Sequence, residues 1–159
     1  MKSKVTFSRF TTAITVIIFV AFYIGCISSI HNKPAFFILL SIYVLLIACA
    51  VLFGAAYIEA DADYIVMGSI LRRRKIPIRN VASVELFKPT MGAIRIFASG
   101  GFMGYWGFFI ENDIGRYYAF YGKASDCFLI RMKDGAKYVL GCNQPHKMVE
   151  YIQSQLQKS

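Results

Sequence analysis

The sequence predicts an α+β chain in which an N-terminal two-helix transmembrane hairpin is followed by a run of short antiparallel strands and one C-terminal α-helix. Three observations predict it. Residues 10–30 and 35–58 are apolar and carry no charge, and His31-Asn32-Lys33-Pro34 separates them. Beyond residue 58 the apolar period shortens towards two, with turn residues between the runs. At the end of the chain it lengthens again, with Met148, Ile152 and Leu156 four residues apart and Val149 beside them. That stripe is the core-facing side of an amphipathic helix.

Each apolar run reaches the roughly 20 residues of helix needed to cross a bilayer's hydrocarbon core. Residues 1–58 are therefore expected to form a membrane anchor, with helices at about 10–30 and 35–58. Residues 59–159 are expected to form one cytosolic domain, long enough for one compact core and too short for two. Lys2, Lys4 and Arg9 precede the first helix, and Lys33 alone marks the hairpin loop. Arg72, Arg73, Arg74 and Lys75 follow the second helix, close enough for flanking charge to orient it. The imbalance places both termini in the cytoplasm. A cleaved signal fits poorly, because no small-x-small site follows the first run and the lipoprotein-like Tyr23-Ile24-Gly25-Cys26 begins with an aromatic. Ala48, Ala50, Gly54 and Ala55 offer a small surface for close helix contact, within the hairpin or between copies in a homo-oligomer.

The strands follow in order. Residues 57–60 and 64–67 flank Asp61-Ala62-Asp63, and Gly68-Ser69 marks the next turn. A strand over 70–76 carries the four basic residues and stops at Pro77. Asn80 opens a short turn. Residues 82–87 alternate, with Val84 and Leu86 to one side and Ser83 and Glu85 to the other. Residues 97–109 set Gly100, Gly101, Gly104 and Gly107 among six aromatics, which suggests a bend packed into a core. Residues 117–121 form an aromatic strand ended by Gly122. Asp134-Gly135, between residues 126–133 and 136–141, is the strongest short hairpin signal. A two-residue loop there pairs Lys133 with Ala136. Counting outward then sets Leu129 opposite Leu140, Arg131 opposite Tyr138 and Cys127 opposite Cys142, the last within disulfide range. In a reducing cytoplasm the two cysteines are expected to stay thiols. Asn143 and Pro145 open the final helix.

Enzyme chemistry is not expected. The topology puts His31 and His146 on opposite sides of the membrane, and there is no Cys-x-x-Cys, so the sequence implies no metal site. Gly122-Lys123-Ala124-Ser125 resembles the end of a P-loop, but Tyr117 stands where its first glycine is needed. Glu111 and Asp113 read as loop residues. The sequence therefore implies no catalytic residue and no cofactor. From Glu59 onward, fourteen Lys and Arg oppose all nine acids, a net of +5. A basic domain tethered at a bilayer meets anionic lipid sooner than nucleic acid, so no nucleic-acid partner is expected. Arg72, Arg73, Arg74 and Lys75 have three compatible readings: a solvated strand edge, a topology signal, or a headgroup contact. Phe102, Tyr105 and Trp106 either fill the bend or project towards the membrane interface or a partner groove.

Arg72-Arg73-Arg74-Lys75-Ile76-Pro77-Ile78, then Val81-Ala82-Ser83-Val84-Glu85, then the glycine–aromatic stretch with Gly100-Gly101-Phe102, Gly104-Tyr105 and Gly107, the Asp134-Gly135 hairpin and the final helix together resemble a bacterial PH-like (pleckstrin-homology-like) domain family. Its members are often attached to membrane helices. The resemblance covers most of residues 58–157. It implies a bent PH-like antiparallel β-barrel closed by the C-terminal α-helix, and it brings no catalytic motif with it. The expected function is a non-enzymatic binding or scaffolding module that positions a protein partner at the cytoplasmic face of a bacterial inner membrane. The alternative is an anionic-lipid sensor using Arg72 to Lys75 and residues 97–109.

Overall fold

The computed structural model describes residues 1–90 and 92–157. The chain begins with β1 (Lys2–Lys4), α1 (Arg9–Ser28) and α2 (Lys33–Phe53). Then come β2 (Tyr57–Ala60), β3 (Tyr64–Gly68), β4 (Arg73–Pro77) and β5 (Val81–Leu86). They are followed by β6 (Ile94–Gly101), β7 (Gly104–Glu111), β8 (Gly115–Tyr121), β9 (Cys127–Met132), β10 (Lys137–Gly141) and α3 (Pro145–Leu156). Two apolar helices, β-sheets and a closing C-terminal helix make the α+β architecture that the sequence predicts.

The helices form where capping and composition allow. Ser8 caps α1 by accepting the Thr11 N–H at 3.1 Å, and Asn32 caps α2 with Pro34 in the first turn. Both helices are long and apolar enough to cross a membrane, with mean hydropathies of 2.3 and 3.0 over their most apolar stretches. A core helix of a soluble protein is as apolar but mostly covered, whereas only 11% and 6% of these stretches are buried. The two pack together through Phe19 and Tyr43, edge-on at 6.0 Å, and through Phe22 stacked on Tyr43 at 6.5 Å.

The strands make two sheets. One has the order β1-β2-β3-β4 and is antiparallel throughout. The other has the order β5-β9-β10-β8-β7-β6. Its single parallel pair is β8 with β10, because β9 lies one place beyond β8 and β10 returns into the gap. The main core lies between the sheets: Ile58, Ile65, Met67 and Ile76 face Val84, Phe128, Ile130 and Leu140, and Met148 and Ile152 of α3 close it. A second core covers the other face of the six-stranded sheet, with Phe109, Tyr117, Leu129 and Val139 beneath Phe87 and Ala93. Burial on both faces explains why β9, Cys-Phe-Leu-Ile-Arg-Met, shows no clear alternation.

Three local expectations are corrected. The Asp134-Gly135 reversal has a three-residue loop: the Met132 N–H bonds to the Ala136 carbonyl at 2.8 Å, and Gly135 takes the left-handed conformation with φ 86°. The register therefore slips by one. Leu129 faces Val139, Arg131 faces Lys137 and Cys127 faces Gly141. A one-residue slip turns a side chain to the other face of the sheet. Cys127 and Cys142 thus lie in different cores, where they cannot form a disulfide. The basic strand begins at Arg73 rather than at residue 70, because Ile70 and Leu71 form the turn. The segment before the first helix is not only a basic tail, since Lys2–Lys4 pair with Tyr57–Glu59 as β1. Ser8 and Thr6 also bond to Gly122 and Asp126. The start of α1 and the end of α2 are thereby held on one side of the helical hairpin.

Candidate binding site

Strand alternation divides the four basic residues. Arg74 shares the side of β4 that buries Ile76, and its guanidinium sits 4.9 Å above the Tyr118 ring. Arg72 lies 5.4 Å above the ring of Phe53, at the end of α2. Arg73 and Lys75 face the other way, and the Lys75 ammonium lies 5.4 Å over Tyr64. The run of four is therefore not one patch.

Arg74 opens onto a cleft assembled by sheet pairing. In the six-stranded sheet Phe108 pairs with Tyr118 across β7 and β8, and Tyr118 pairs with Tyr138 across the parallel β8 and β10. Their rings meet at 5.3 Å and 6.1 Å. Arg116 lies 4.7 Å over Phe108. Arg74, Arg116 and Lys137 stand around this aromatic floor and, with Gly135 and Ala136, bound a cleft of about 310 Å³ whose lining contains no carboxylate. A guanidinium stacked on a ring keeps its N–H edge free for hydrogen bonds. The Lys137 ammonium is engaged by the Ile114 carbonyl at 2.6 Å, so it is the two guanidinium edges that suit a carboxylate or phosphate, which arginine can hold bidentately.

Phe102, Tyr105 and Trp106 stand apart from this cleft. The tip between β6 and β7 is pressed against the protein's own helices. Phe102 lies 5.5 Å from Phe19, and Trp106 stacks on Phe53 at 5.2 Å while its indole N–H donates to the Phe102 carbonyl. The Thr15 hydroxyl accepts the Met103 N–H at 3.0 Å. Tyr105 is on the opposite face of the sheet, stacked on Tyr121 at 4.9 Å. Gly107, with φ 111°, lets the strands bend here, since any Cβ would strike the Phe97 carbonyl and Ala98. Small residues at and just beyond the end of α2 are covered here: Gly54 faces Met103, the Ala55 N–H donates to the Met103 carbonyl at 3.4 Å and Ala50 is buried, whereas Ala48 is exposed.

Sequence reasoning named Arg74, took in Phe108 only as part of the stretch 97–109, and missed Arg116, Lys137, Tyr118 and Tyr138. No linear signal joins them. Glu111, read as a loop residue, ends β7 and is buried, with one oxygen accepting the Thr90 N–H at 2.7 Å. Burial pushes the Cys127 thiol well above its ordinary range, which removes its thiolate character at neutral pH. Among the described residues no three His, Cys, Asp or Glu side chains gather to hold a metal ion.

No curated protein and no solved structure matches the chain significantly. The model of the Bacterial PH domain family matches residues 56–156. That span runs from the start of β2 through the body of α3, takes in every cleft residue and covers more than half of the protein. By that match, and by the two sheets closed with a C-terminal helix, the chain belongs to the Bacterial PH domain family.

Proposed function

We propose that the protein is a non-enzymatic, membrane-anchored binding module that positions an acidic protein partner at the cytoplasmic face of a bacterial membrane, with the helical hairpin as its anchor. The observation that carries this is the cleft in which Arg74 and Arg116 stand over the rings of Tyr118 and Phe108, beside Tyr138. Its position favours a soluble partner over the anchor's own lipid. Trp106 marks the end of the sheet that touches the helices, and Phe120 pairs with it. Arg116 lies four residues along β8 from Phe120, about 14 Å at the usual strand rise. The Arg116 end of the cleft thus lies away from the hairpin, while Arg74 and Tyr118 reach back to a smaller pocket shared with Leu52 and Phe53 of α2.

The test is a photo-crosslinking residue at Tyr138 in the full chain, in membranes of the native host. We expect a discrete protein adduct that is lost in the R74A/R116A double variant. Adducts to lipid alone, or a protein adduct indifferent to those two arginines, would overturn the reading.

A further inference from the structure

The β3–β4 turn at the helical end is built from residues that turn chemistry does not choose. Gly68 pairs with Arg73, and the Ser69 N–H bonds to the Arg72 carbonyl at 2.8 Å, leaving Ile70 and Leu71 as a two-residue loop. Such loops usually hold Asn or Gly with positive φ. Ile70 and Leu71 supply neither, since among the described residues Met103 is the non-glycine residue with positive φ. They are 64% and 75% exposed, so the core does not use them either.

The helix beside them accounts for the choice. The Leu71 N–H donates to the carbonyl of Val51, in the last turn of α2, at 3.3 Å. A helix of the 21 residues of α2 is about 31 Å long, which barely matches a hydrocarbon core of about 30 Å. A crossing helix therefore needs its whole length, and Val51 stands at the edge of the hydrocarbon. Leu71, bonded to Val51, stands at the same depth with Ile70 beside it, and both are exposed apolar side chains as are Val44, Leu45 and Leu52 of α2. Arg72 and Arg73 follow directly, both without a salt bridge among the described residues. Aliphatic side chains at the acyl boundary with guanidinium groups one step outward match the layering of a phospholipid leaflet.

We propose that the β3–β4 turn is a second bilayer contact. Ile70 and Leu71 enter the acyl–headgroup boundary, and Arg72 and Arg73 engage lipid phosphates. The contact fixes the tilt of the domain on the membrane and so aims the cleft. It rests on the reading that the hairpin crosses a bilayer.

The test uses the full chain with Trp106→Phe, reconstituted in phosphatidylcholine–phosphatidylglycerol vesicles that contain chain-brominated lipid. Single tryptophans are placed by L71W, by I70W as an independent variant of the same turn, and by V44W in the middle of α2. V44W is expected to be quenched most by bromines deep in the chain. L71W and I70W are expected to be blue-shifted and quenched most by shallow bromines. Unquenched turn tryptophans beside a quenched V44W overturn the turn contact and leave the anchor standing. An unquenched V44W overturns both. Raising the phosphatidylglycerol fraction should strengthen L71W quenching, and R72Q/R73Q should abolish that increase. An unchanged response in R72Q/R73Q overturns the phosphate contact.

Discussion

Where the sheets meet the helices, the hairpin tips carry Ile70 and Leu71 between β3 and β4, and Phe102 and Met103 between β6 and β7. At the opposite end the reversals carry Asp61-Ala62-Asp63, Asn112-Asp113 and Asp134-Gly135. The far tips are held by local hydrogen bonds. Asp61 accepts the Asp63 and Tyr64 N–H groups at 3.0 Å and 2.7 Å, and Asp134 accepts the Ala136 N–H at 2.9 Å. The near tips are held by what they touch: Phe102 by Phe19, Met103 by Thr15 and Gly54, and Leu71 by Val51. The same chain reversal thus has two sources of stability. One is local and polar; the other is tertiary, made of an aromatic contact and of hydrogen bonds to the helices.

The strongest way to break this contrast is to put a charge at each end. F102D should cost about 3 kcal/mol, because it removes an aromatic contact and sets a carboxylate against Phe19. A62D, in a turn already built from aspartates and exposed, should stay within about 0.5 kcal/mol of the parent. Denaturant unfolding in detergent measures both, and equal costs would end the distinction.

Alkali probes the near end next. Cys127 and Tyr121 lie there, and burial raises both pKa values above their ordinary 9.0 and 10.0. The folded state therefore keeps protons that the unfolded chain releases. Their stabilisation is complete below pH 9 and is lost as pH rises from there towards the raised values, by up to about 1.4 kcal/mol per pH unit for each group. An unfolding midpoint that is flat from pH 7 to 9 and falls above it is the expected record. C127A should delay the onset.

Acid probes the far end and should do least. The Tyr64 and Asp63 N–H groups lower the Asp61 pKa. Its contribution is therefore present above the ordinary carboxylate value and is lost as pH falls from there through the lowered folded one. Asp61 is exposed, so D61A should cost about 1 kcal/mol or less at neutral pH and remove that part of the acid response. A D61A loss as large as that of F102D would mean that the far turns hold the sheets together after all.

How much was legible follows the same division. The Asp61-Ala62-Asp63 reversal, the two apolar helices and the Met148–Val149–Ile152 stripe of α3 rest on local composition and period, and the structure bears them out. The Asp134-Gly135 reversal was legible as a turn but not in its register, because one dipeptide serves loops of two and of three residues. Strand β1 was not legible at all. Lys2-Ser3-Lys4 has no strand period of its own and forms a strand because β2 presents an open edge beside it. In the cleft, Arg74 was read as one of four neighbours, and only strand alternation separates it from Arg73 and Lys75.

The sequence alone determined that two helices are apolar enough to cross a membrane, that short strands and one amphipathic helix follow, and that the pattern is that of a bacterial PH-like domain. These are properties of residues near one another in the chain, where hydropathy and turn preference act. The tertiary structure decided that β1 joins the sheet, that Cys127 and Cys142 lie in separate cores, and that Phe102 and Trp106 face the helices. It also gathered Arg74, Arg116 and Lys137 around one cleft. The reason is physical: those arrangements depend on which strands pair and in what register, and β8 meets β10 only after β9 has gone out and β10 has come back.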